Sequence, residues 1–390
     1  MGSTQGGSIG GRGLLLTGRA LVIVVTIAVL AGLGTAFVIH QRAGSAIAAN
    51  SIDDALFADD PNLRPTTAAP GAPGAPGAPG SDSPAAPGTS AGGTDTGTGP
   101  GAPAPSVSRE DAAAKPAENI LILGLDTRGG ADGGVGPGTS QSDVMMLVHV
   151  YAGHRQISVL SIPRDTYVTA PSCLQWDNAT GKVSDAVFRS QYSSWKITNA
   201  YSVGGPQCTV KAIQELTGLR VDRLVAIQFN GFKAIVDALG GVTMTFASPV
   251  IDANQGAVIP KAGVQTIDGE QALKLVRSRI VQGDSRGDLG RIDRQRLLVL
   301  AMLKKMTSTG LLADPGRLDS VMQTFAQNST SANLDVDQLL SLATSLSGGA
   351  KIDFVTLPTV QDPESEGLDM VASKADPLLD ALAQDRVPSN

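Results

Sequence analysis

The chain has 390 residues, a formal net charge of −6 and only 17% charged side chains. This mild acidity excludes bulk nucleic-acid binding, which requires a basic surface, so any anion site must be a local basic cluster. Length alone allows two or three domains. Many of the 46 glycines and 23 prolines lie in one stretch, however, so the folded part is smaller than the whole chain.

Residues 20–39 form an apolar run without a charged side chain. A helix of that length spans about 30 Å, the thickness of one hydrocarbon core. Arg12 and Arg19 precede the run and no acidic residue occurs before Asp53, a bias that predicts a cytoplasmic segment at residues 1–19. A cleaved signal peptide is the alternative, although its apolar core is usually only about 7–15 residues long. We therefore expect a single-pass anchor in the cell membrane, with the folded part of the chain extracytoplasmic.

A segment rich in proline, glycine and alanine follows the anchor, with the repeat GAPGAPGAPG at residues 71–80. It has too few large apolar side chains to form a core. Residues 40–117 are therefore predicted to be an extracytoplasmic linker. Such a linker would let the domain that follows range through the space just outside the membrane.

Strand-like and helix-like patterns alternate between residues 118 and 358, which predicts one α/β domain. Asp268 is the predicted cap of one helix. In chain order the predicted elements are strands at 119–125, 144–150 and 156–162, a helix at 208–217, a strand at 224–229, a helix at 232–239, a strand at 242–246, helices at 269–276, 289–306, 317–326 and 336–346, and a strand at 352–357. Residues 359–390 are predicted to be a polar tail.

The sequence contains two cysteines, Cys173 and Cys208, and both lie in the part predicted to be exported. Such a pair is expected to close a disulfide, with two buried thiols as the alternative. Two cysteines are too few for a structural zinc site, and their spacing is not that of a C-x-x-C redox pair.

Four charged clusters fall at predicted strand ends or helix starts, where α/β domains place their sites. Asp126 follows the first strand, Asp143 precedes the second, and Arg164 follows the third. The fourth cluster is a run of alternating arginines and aspartates at residues 277–296. If the strands are neighbours, Asp126 and Asp143 can share a magnesium ion while guanidinium groups bind phosphate oxygens. For each cluster taken alone, the alternative is a solvated turn or a salt-bridged helix surface.

Six motifs of this chain resemble, in order, those of LytR-CpsA-Psr proteins. They are NILILGLDTR, SDVMMLVHV, ISVLSIPRDTYV, KITNAYSVGG, FNGFKAIVDALGGV and GEQALKLVRSR…GDLGRIDRQR. The resemblance covers about residues 118–306, with residue 358 as its outer limit. It implies an α-β-α sandwich with a central mixed sheet at 118–358. It also implies a membrane-anchored, magnesium-dependent phosphotransferase that moves a glycopolymer from a polyprenyl-pyrophosphate carrier to peptidoglycan.

The resemblance also implies a role for each matching residue. Asp126 and Asp143 look like the magnesium ligands, and Asp288 looks like a catalytic carboxylate near the reacting centre. The residues that look like pyrophosphate ligands are Arg164, Arg277, Arg279, Arg291 and Gln295. Of these, three are also predicted to act in catalysis: Arg164, Arg279 and Arg291. The turn between Arg279 and Arg291 varies in length within the family, so its charged residues receive no assigned role.

Helical geometry bears on these assignments. Arg291 and Gln295 are four positions apart on a predicted helix and therefore share one face. Arg277 and Arg279 are two positions apart, so both can face one ligand only if the helix has ended there. A single phosphate-facing arginine with a structural neighbour is the alternative for that pair.

Two other functions use parts of the same pattern. A pyrophosphatase acting on a lipid or nucleotide diphosphate needs the same site but uses water as the acceptor. The second alternative is a non-catalytic wall-binding or regulatory protein. Such a protein would only need to bind, and binding alone does not require paired acids beside arginines. The partners expected for the transferase are a polyprenyl-pyrophosphate-linked glycopolymer, peptidoglycan and the lipid bilayer, and no nucleic acid.

Overall fold

The computed structural model describes residues 38–52, 115–128, 139–177, 180–286, 288–312 and 314–388. The predicted anchor therefore lies outside the described residues, apart from its last two positions. Most of the predicted linker, at residues 53–114, lies outside them as well. Within the described ranges, no helix has the length and the apolar character needed to cross a bilayer.

The strands and helices of the folded part extend from residue 118 to residue 383. The strands are β1 (Glu118–Arg128), β2 (Thr139–Val150), β3 (Gln156–Ile162), β4 (Tyr167–Thr169), β5 (Cys173–Asp177), β6 (Lys182–Phe188), β7 (Ser194–Lys196), β8 (Arg223–Gln228), β9 (Val242–Phe246), β10 (Val250–Asp252), β11 (Gly256–Ile259), β12 (Gly263–Ile267), β13 (Ser329–Ala332), β14 (Lys351–Thr356), β15 (Thr359–Gln361) and β16 (Leu368–Met370). The helices are α1 (Asn199–Thr217), α2 (Phe229–Ala238), α3 (Gly269–Arg277), α4 (Asp288–Met306), α5 (Thr309–Leu312), α6 (Pro315–Asn328), α7 (Val336–Ser347) and α8 (Ala372–Ala383).

Six strands form the central sheet in the order β13-β8-β1-β2-β3-β14. The sheet is mixed, because β1 pairs antiparallel with β2 but parallel with β8. A bulge between Gly124 and Leu125 shifts the β1–β2 register. A side chain at Gly124 would meet Val144 at 2.9 Å, so glycine allows the close approach. Bulges of this kind re-aim the residues that follow, and here the next residue is Asp126.

Helices cover both faces of the sheet, which confirms the predicted α/β class. Side chains alternate between the two faces of each strand, so each face carries its own apolar cluster. On one face, α1 and α8 contribute to a cluster with Leu121, Leu123, Leu147 and Leu160. On the other face, residues of α4, α6 and α7 pack against Ile120, Met146, Val148 and Val159.

The structure differs from the predicted boundary at the C-terminal end. The predicted polar tail contains α8, whose Leu378, Leu379 and Leu382 are buried in the core. Beyond α8, Asp385 accepts a hydrogen bond from the buried His149 at 3.1 Å. The sequence analysis missed this helix because the segment contains many polar residues and so has a low apolar content. Helical spacing nevertheless places its leucines on one face. The folded part therefore continues well past residue 358.

The N-terminal boundary differs as well. Residues 38–49 are helical, although residues 40–117 were predicted to be linker throughout. Ala43 and Ile47 are buried against the folded part of the chain. The apolar positions are four apart, which is the period of a helix with one packed face.

Cys173 and Cys208 form a disulfide in the structure, with their Cα atoms 5.5 Å apart. The bond joins the start of β5 to α1 and closes a loop with a sequence separation of 35. Both residues are buried, and a side chain at Gly204 would clash with both of them. The disulfide thus fixes the β5–β6 hairpin on α1.

Replacing both cysteines, Cys173→Ala with Cys208→Ala, is expected to lower the free energy of unfolding by about 3–4 kcal/mol. The reason is the chain entropy that the unfolded state regains when the loop opens. Denaturant titration of the oxidised domain measures the change, and reduced wild-type protein serves as the control. Alkylation should label the cysteines of native protein only after reduction. Free thiols in exported protein would contradict this expectation. So would equal free energies of unfolding for the oxidised wild type and the double variant.

Candidate functional site

A cleft of about 440 Å³ lies where β1 ends, beside β2 and the ends of α3 and α4. Residues from all but one of the four predicted charged clusters line it. The lining residues are Asp126, Asp143, Val144, Phe229, Asp252, Asn254, Gln255, Val276, Arg277, Arg279, Arg291 and Gln295. Two carboxylates and three guanidinium groups predicted from the sequence therefore meet in one place.

Asp143 is held by two arginines. Its Oδ1 accepts a hydrogen bond from Arg164 Nη1 at 2.5 Å, and its Oδ2 lies 4.0 Å from Arg279 Nη2. Arg164 does not line the cleft itself, and it reaches the site through Asp143. Asp165 lies 3.4 Å from the other side of the Arg164 guanidinium. Because Asp143 and Arg164 are both largely buried, removing either partner would leave a poorly solvated charge.

Arg277 pairs with the other predicted metal ligand. Its Nη2 donates to Asp126 Oδ1 at 3.1 Å, and its guanidinium lies 4.9 Å from the centre of the Phe229 ring. Helix α3 ends at Arg277, and Ser278 has extended backbone angles. Because the helix has ended, both Arg277 and Arg279 line the cleft, as the sequence required for a shared ligand.

Arg291 and Gln295 lie on one face of α4, as their spacing predicts. They are 4% and 6% exposed, and both line the cleft. Gln295 Nε2 donates to the carbonyl oxygen of Val276 at 3.3 Å, which ties α4 to the end of α3. These buried polar side chains in a cleft wall provide hydrogen-bond donors that are already oriented.

The chain also matches a known protein family along most of its length. The LytR_cpsA_psr family model matches residues 91–384, well over half of the chain. The chain belongs to this family. The match includes α8, in agreement with the C-terminal extension of the fold described above.

Two relatives of this LytR_cpsA_psr protein show how similar its sequence is to those of individual family members. It is 34% identical over 240 residues to the polyisoprenyl-teichoic acid–peptidoglycan teichoic acid transferase TagU of Oceanobacillus iheyensis. It is 32% identical over 253 residues to the probable cell wall biosynthesis protein LcpB of Corynebacterium glutamicum. These matches span 60% and 63% of this chain, and only 64% and 55% of the two relatives.

Among solved structures, the protein is similar to TagV of B. subtilis. The TM-score is 0.54 at 25% sequence identity, and the superposition covers 70% of this chain and 99% of that one. The likeness supports the α/β fold with its mixed central sheet.

The cleft of this LytR_cpsA_psr member contains one carboxylate that the sequence analysis missed. Asp252 is 2% exposed, and its oxygens accept four backbone N–H bonds. Oδ1 accepts from Asn254 at 2.9 Å and Gln255 at 3.1 Å, and Oδ2 accepts from Arg279 at 2.9 Å and Ile280 at 3.1 Å. A carboxylate has about four lone-pair positions, so these bonds occupy it fully. Asp252 therefore fixes the backbone that carries Arg279.

The same four bonds set the charge state of Asp252. Burial raises the pKa of its carboxyl, but the four backbone N–H donors lower the pKa by more, so the net pKa lies below the usual value. Asp252 is the last residue of the three-residue strand β10, and in the sequence it resembles an ordinary turn aspartate. Its partners at positions 279 and 280 are distant in sequence, so no local signal marks it.

In acid, the free energy of unfolding is expected to fall less with decreasing pH in Asp252→Asn than in wild type. A carboxyl whose folded pKa is lowered contributes stability that is fully present above its unfolded pKa, about 3.9, and is lost as the pH falls through the folded pKa. Unfolding free energies measured between pH 7 and pH 3 should therefore fall less steeply for the variant below about pH 4. Asp185→Asn, on the exposed strand β6, is the control. Equal acid slopes for wild type and Asp252→Asn would show that the four bonds do not stabilise the charged form.

The charged turn at 280–286 serves a structural purpose. Asp284 accepts hydrogen bonds from Arg294 Nη1 at 2.8 Å and Arg286 Nε at 3.1 Å, and Arg286 also pairs with Asp293 at 2.5 Å. The backbone N–H of Arg286 and these guanidinium groups lower the pKa of Asp284. None of these four side chains is among those lining the cleft. The network folds the turn onto the first turns of α4.

Asp288 is the first residue of α4. Its side chain lies outside the described residues, so its predicted role as a base stays a prediction. The backbone places it one helical turn before Arg291, whose side chain lines the cleft.

Proposed function

We propose that this chain is a membrane-anchored phosphotransferase that moves a glycopolymer from a polyprenyl-pyrophosphate carrier to peptidoglycan. The observation that carries the proposal is the convergence of Arg277, Arg279 and Arg291 on one cleft beside Asp126 and Asp143. The printed name of the Oceanobacillus iheyensis relative, a polyisoprenyl-teichoic acid–peptidoglycan teichoic acid transferase, supports it. The proposal specifies the pyrophosphate-linked carrier of the glycopolymer and makes no statement about its sugars.

Phosphoryl transfer depends mainly on positioning and on neutralising charge. The three cleft arginines supply guanidinium groups that suit the oxygens of a pyrophosphate. Two of them now pair with carboxylates, Arg277 with Asp126 and Arg279 with Asp143. Binding of the pyrophosphate would exchange these carboxylates for phosphate oxygens. Arg164 would keep its contact with Asp143 and hold that side chain in place.

Magnesium fits the donor set of this cleft. Mg²⁺ is commonly held by one or two carboxylates together with substrate phosphates, and Asp126 and Asp143 provide two. Among the residues that the structure describes, no group of three or more His, Cys, Asp or Glu side chains is placed to hold a metal ion, so these two carboxylates are the candidate protein ligands. Asp252 is unsuitable because its oxygens are occupied by backbone N–H groups. The ion, held by Asp126 and Asp143, would supply charge neutralisation at the phosphate oxygens.

The proposed step conserves atoms and charge. A hydroxyl oxygen of peptidoglycan forms a bond to the sugar-proximal phosphorus. The bond between that phosphorus and the bridging oxygen breaks, and polyprenyl phosphate leaves with the electron pair. A phosphodiester link results, and Asp288 is the proposed acceptor of the hydroxyl proton.

The test is transfer from a defined polyprenyl-pyrophosphate-linked glycan to peptidoglycan in detergent, followed by mass spectrometry of the products. The transferase predicts a phosphodiester-linked product that requires the acceptor. A pyrophosphatase would release the glycan phosphate at the same rate with or without the acceptor. A non-catalytic wall protein would give neither product. Either of the last two outcomes would overturn the proposal.

The proposed location follows from the apolar run at residues 20–39. We propose that this run anchors the chain and that the folded part lies outside the cell membrane. Protease added to spheroplasts should then digest the folded part, whereas a tag fused to residue 1 should stay protected. Lysed cells, in which both parts are accessible, are the control. Recovery of the folded part from the cytosol would refute the location.

A further inference from the structure

Residues 38–52 begin at the last two positions of the proposed anchor and pack on the folded part of the chain. Ala43 is 0% and Ile47 is 3% exposed, whereas Ala48 on another face of the same helical segment is exposed. Gly44 lies against the side chain of Val336 at the start of α7. The buried positions recur every four residues, so one face of this segment is packed.

The polar contacts of this docking segment, residues 38–52, extend along α6. Arg42 Nη1 lies 3.9 Å from Asp319 Oδ2, near the start of that helix. Asn50 Nδ2 donates to the carbonyl oxygen of Ala326, near its end, at 2.8 Å. The segment therefore follows the helix over most of its length.

The end of the docking segment covers the edge of the central sheet. The backbone N–H of Ile52 donates to Ser331 of β13 at 2.8 Å, and the N–H of Ser331 donates to Asn50 at 3.2 Å. Ser51 and Ser331 thus form a short parallel bridge. Strand β13 is the last strand on that side of the sheet. Unpaired strand edges invite pairing with other chains, and a covering segment removes those donors and acceptors from contact.

The chain returns to the same folded unit after residue 114. The carbonyl oxygen of Lys115 accepts from Gly153 at 2.8 Å, and Glu118 at the start of β1 pairs with Arg223 at 2.6 Å. The described residues on either side of positions 53–114 therefore both contact the folded unit, Ile52 at β13 and Lys115 at Gly153. The family match begins at residue 91, so it does not include the docking segment.

We propose that the docking segment, rather than residues 53–114, connects the anchor to the catalytic domain. The surface of α6, α7 and β13 is then an attachment surface whose partner is residues 38–52 of the same chain. Ile52 and Lys115, which flank the proline- and glycine-rich stretch, both lie on the domain, so that stretch does not set the distance of the domain from the bilayer. The membrane side of this proposal rests on the proposed anchor, but the attachment itself does not.

The test cuts the chain inside residues 53–114 without disturbing the attachment. A site for a specific protease replaces residues 71–80 of the full-length protein, which carries an affinity tag at residue 1. After complete cleavage in detergent, the tagged N-terminal piece should retain the domain on the affinity resin. Release of the wild-type domain upon cleavage would overturn the proposal. This outcome needs no substrate, so it is independent of whether the protein transfers a glycopolymer.

Two alanine variants sharpen the test, because they place the same charge on a buried and on an exposed face of one segment. Ala43→Asp puts a carboxylate at a buried position and should release at least tenfold more domain after cleavage than wild type. Ala48→Asp, at an exposed position, should be retained like wild type. Thermal unfolding before cleavage shows whether the domain stays folded in each variant. Equal retention of Ala43→Asp and Ala48→Asp, with both domains folded, would place the attachment elsewhere.

Discussion

Asp143→Asn is expected to lower the rate of glycopolymer transfer by roughly 10²–10³-fold while the domain stays folded. Asp143 pairs with Arg164 at 2.5 Å and lies 4.0 Å from Arg279, so its charge positions two guanidinium groups. It is also a proposed ligand of magnesium. Asparagine retains the size of the side chain and one acceptor oxygen, so the variant loses the charge without leaving a cavity.

The matched control is Asp165→Asn, because Asp165 contacts the same guanidinium at 3.4 Å but does not line the cleft. Transfer rates measured over a range of magnesium concentrations should show a much larger effect for Asp143→Asn than for the control. Unfolding temperatures should be compared in parallel, since Arg164 is largely buried and one of its two carboxylate partners, Asp143, becomes a neutral amide in the variant. A normal rate with unchanged magnesium dependence in Asp143→Asn would place the metal ligands elsewhere.

Asp288→Asn is expected to slow transfer by about 10²–10⁴-fold, the usual contribution of a positioned general base. A sugar hydroxyl is a poor nucleophile at neutral pH, so removal of its proton assists the attack. Asp288 begins α4, three positions before Arg291, so its backbone is close to the proposed phosphate site. The variant should bind the lipid pyrophosphate normally, because the cleft arginines are unchanged.

The competing role of Asp288 is structural. A carboxylate at the start of a helix stabilises it by only about 0.3–1 kcal/mol, and asparagine retains much of the capping ability. A purely structural residue would therefore leave transfer nearly intact and change stability instead. Asp293→Asn is the control, because Asp293 lies on the same helix but pairs with Arg286 and does not line the cleft. Wild-type transfer rates in Asp288→Asn would remove the base from the proposed chemistry.

The central elements were predictable because their patterns are strong. Strand β3 has the predicted bounds, since it is a buried apolar run that ends at the sequence Pro163-Arg164-Asp165. Helix α3 begins after Asp268, whose side chain accepts from Gln271 in a capping box. Such signals depend only on neighbouring residues, so a single sequence contains them.

The short strands outside the central sheet were not predictable from such local patterns. Strands β4, β7 and β10 have only three residues each, which is too short for an apolar period to appear. Strand β6 is exposed along almost its whole length, so it has no buried alternation. Its position depends on pairing with the neighbouring strand β5 and on the disulfide, which joins β5 to α1 across a sequence separation of 35.

The site was predictable where charged residues adjoin the apolar parts of β1 and β2 or the ends of helices. The charged residues Asp126, Asp143, Arg277, Arg279 and Arg291 all reach one cleft, as expected from their positions. Asp252 was missed because its role depends on backbone donors that are distant in sequence. The position of Arg164 behind Asp143 also follows from the packing of side chains, which the order of residues does not specify.

The location of α8 after every other element of its apolar cluster has a consequence for how the protein matures. Its leucines complete the apolar cluster between the sheet and α1, yet they are the last part of that cluster to be synthesised. A chain that emerges N-terminus first must wait, with part of one face of its sheet uncovered, until residues 372–383 are available. Both cysteines emerge much earlier, so an oxidising compartment can join Cys173 to Cys208 before that face is closed. The covalent link would then hold the β5–β6 hairpin on α1 during the interval in which the domain is most exposed to misfolding.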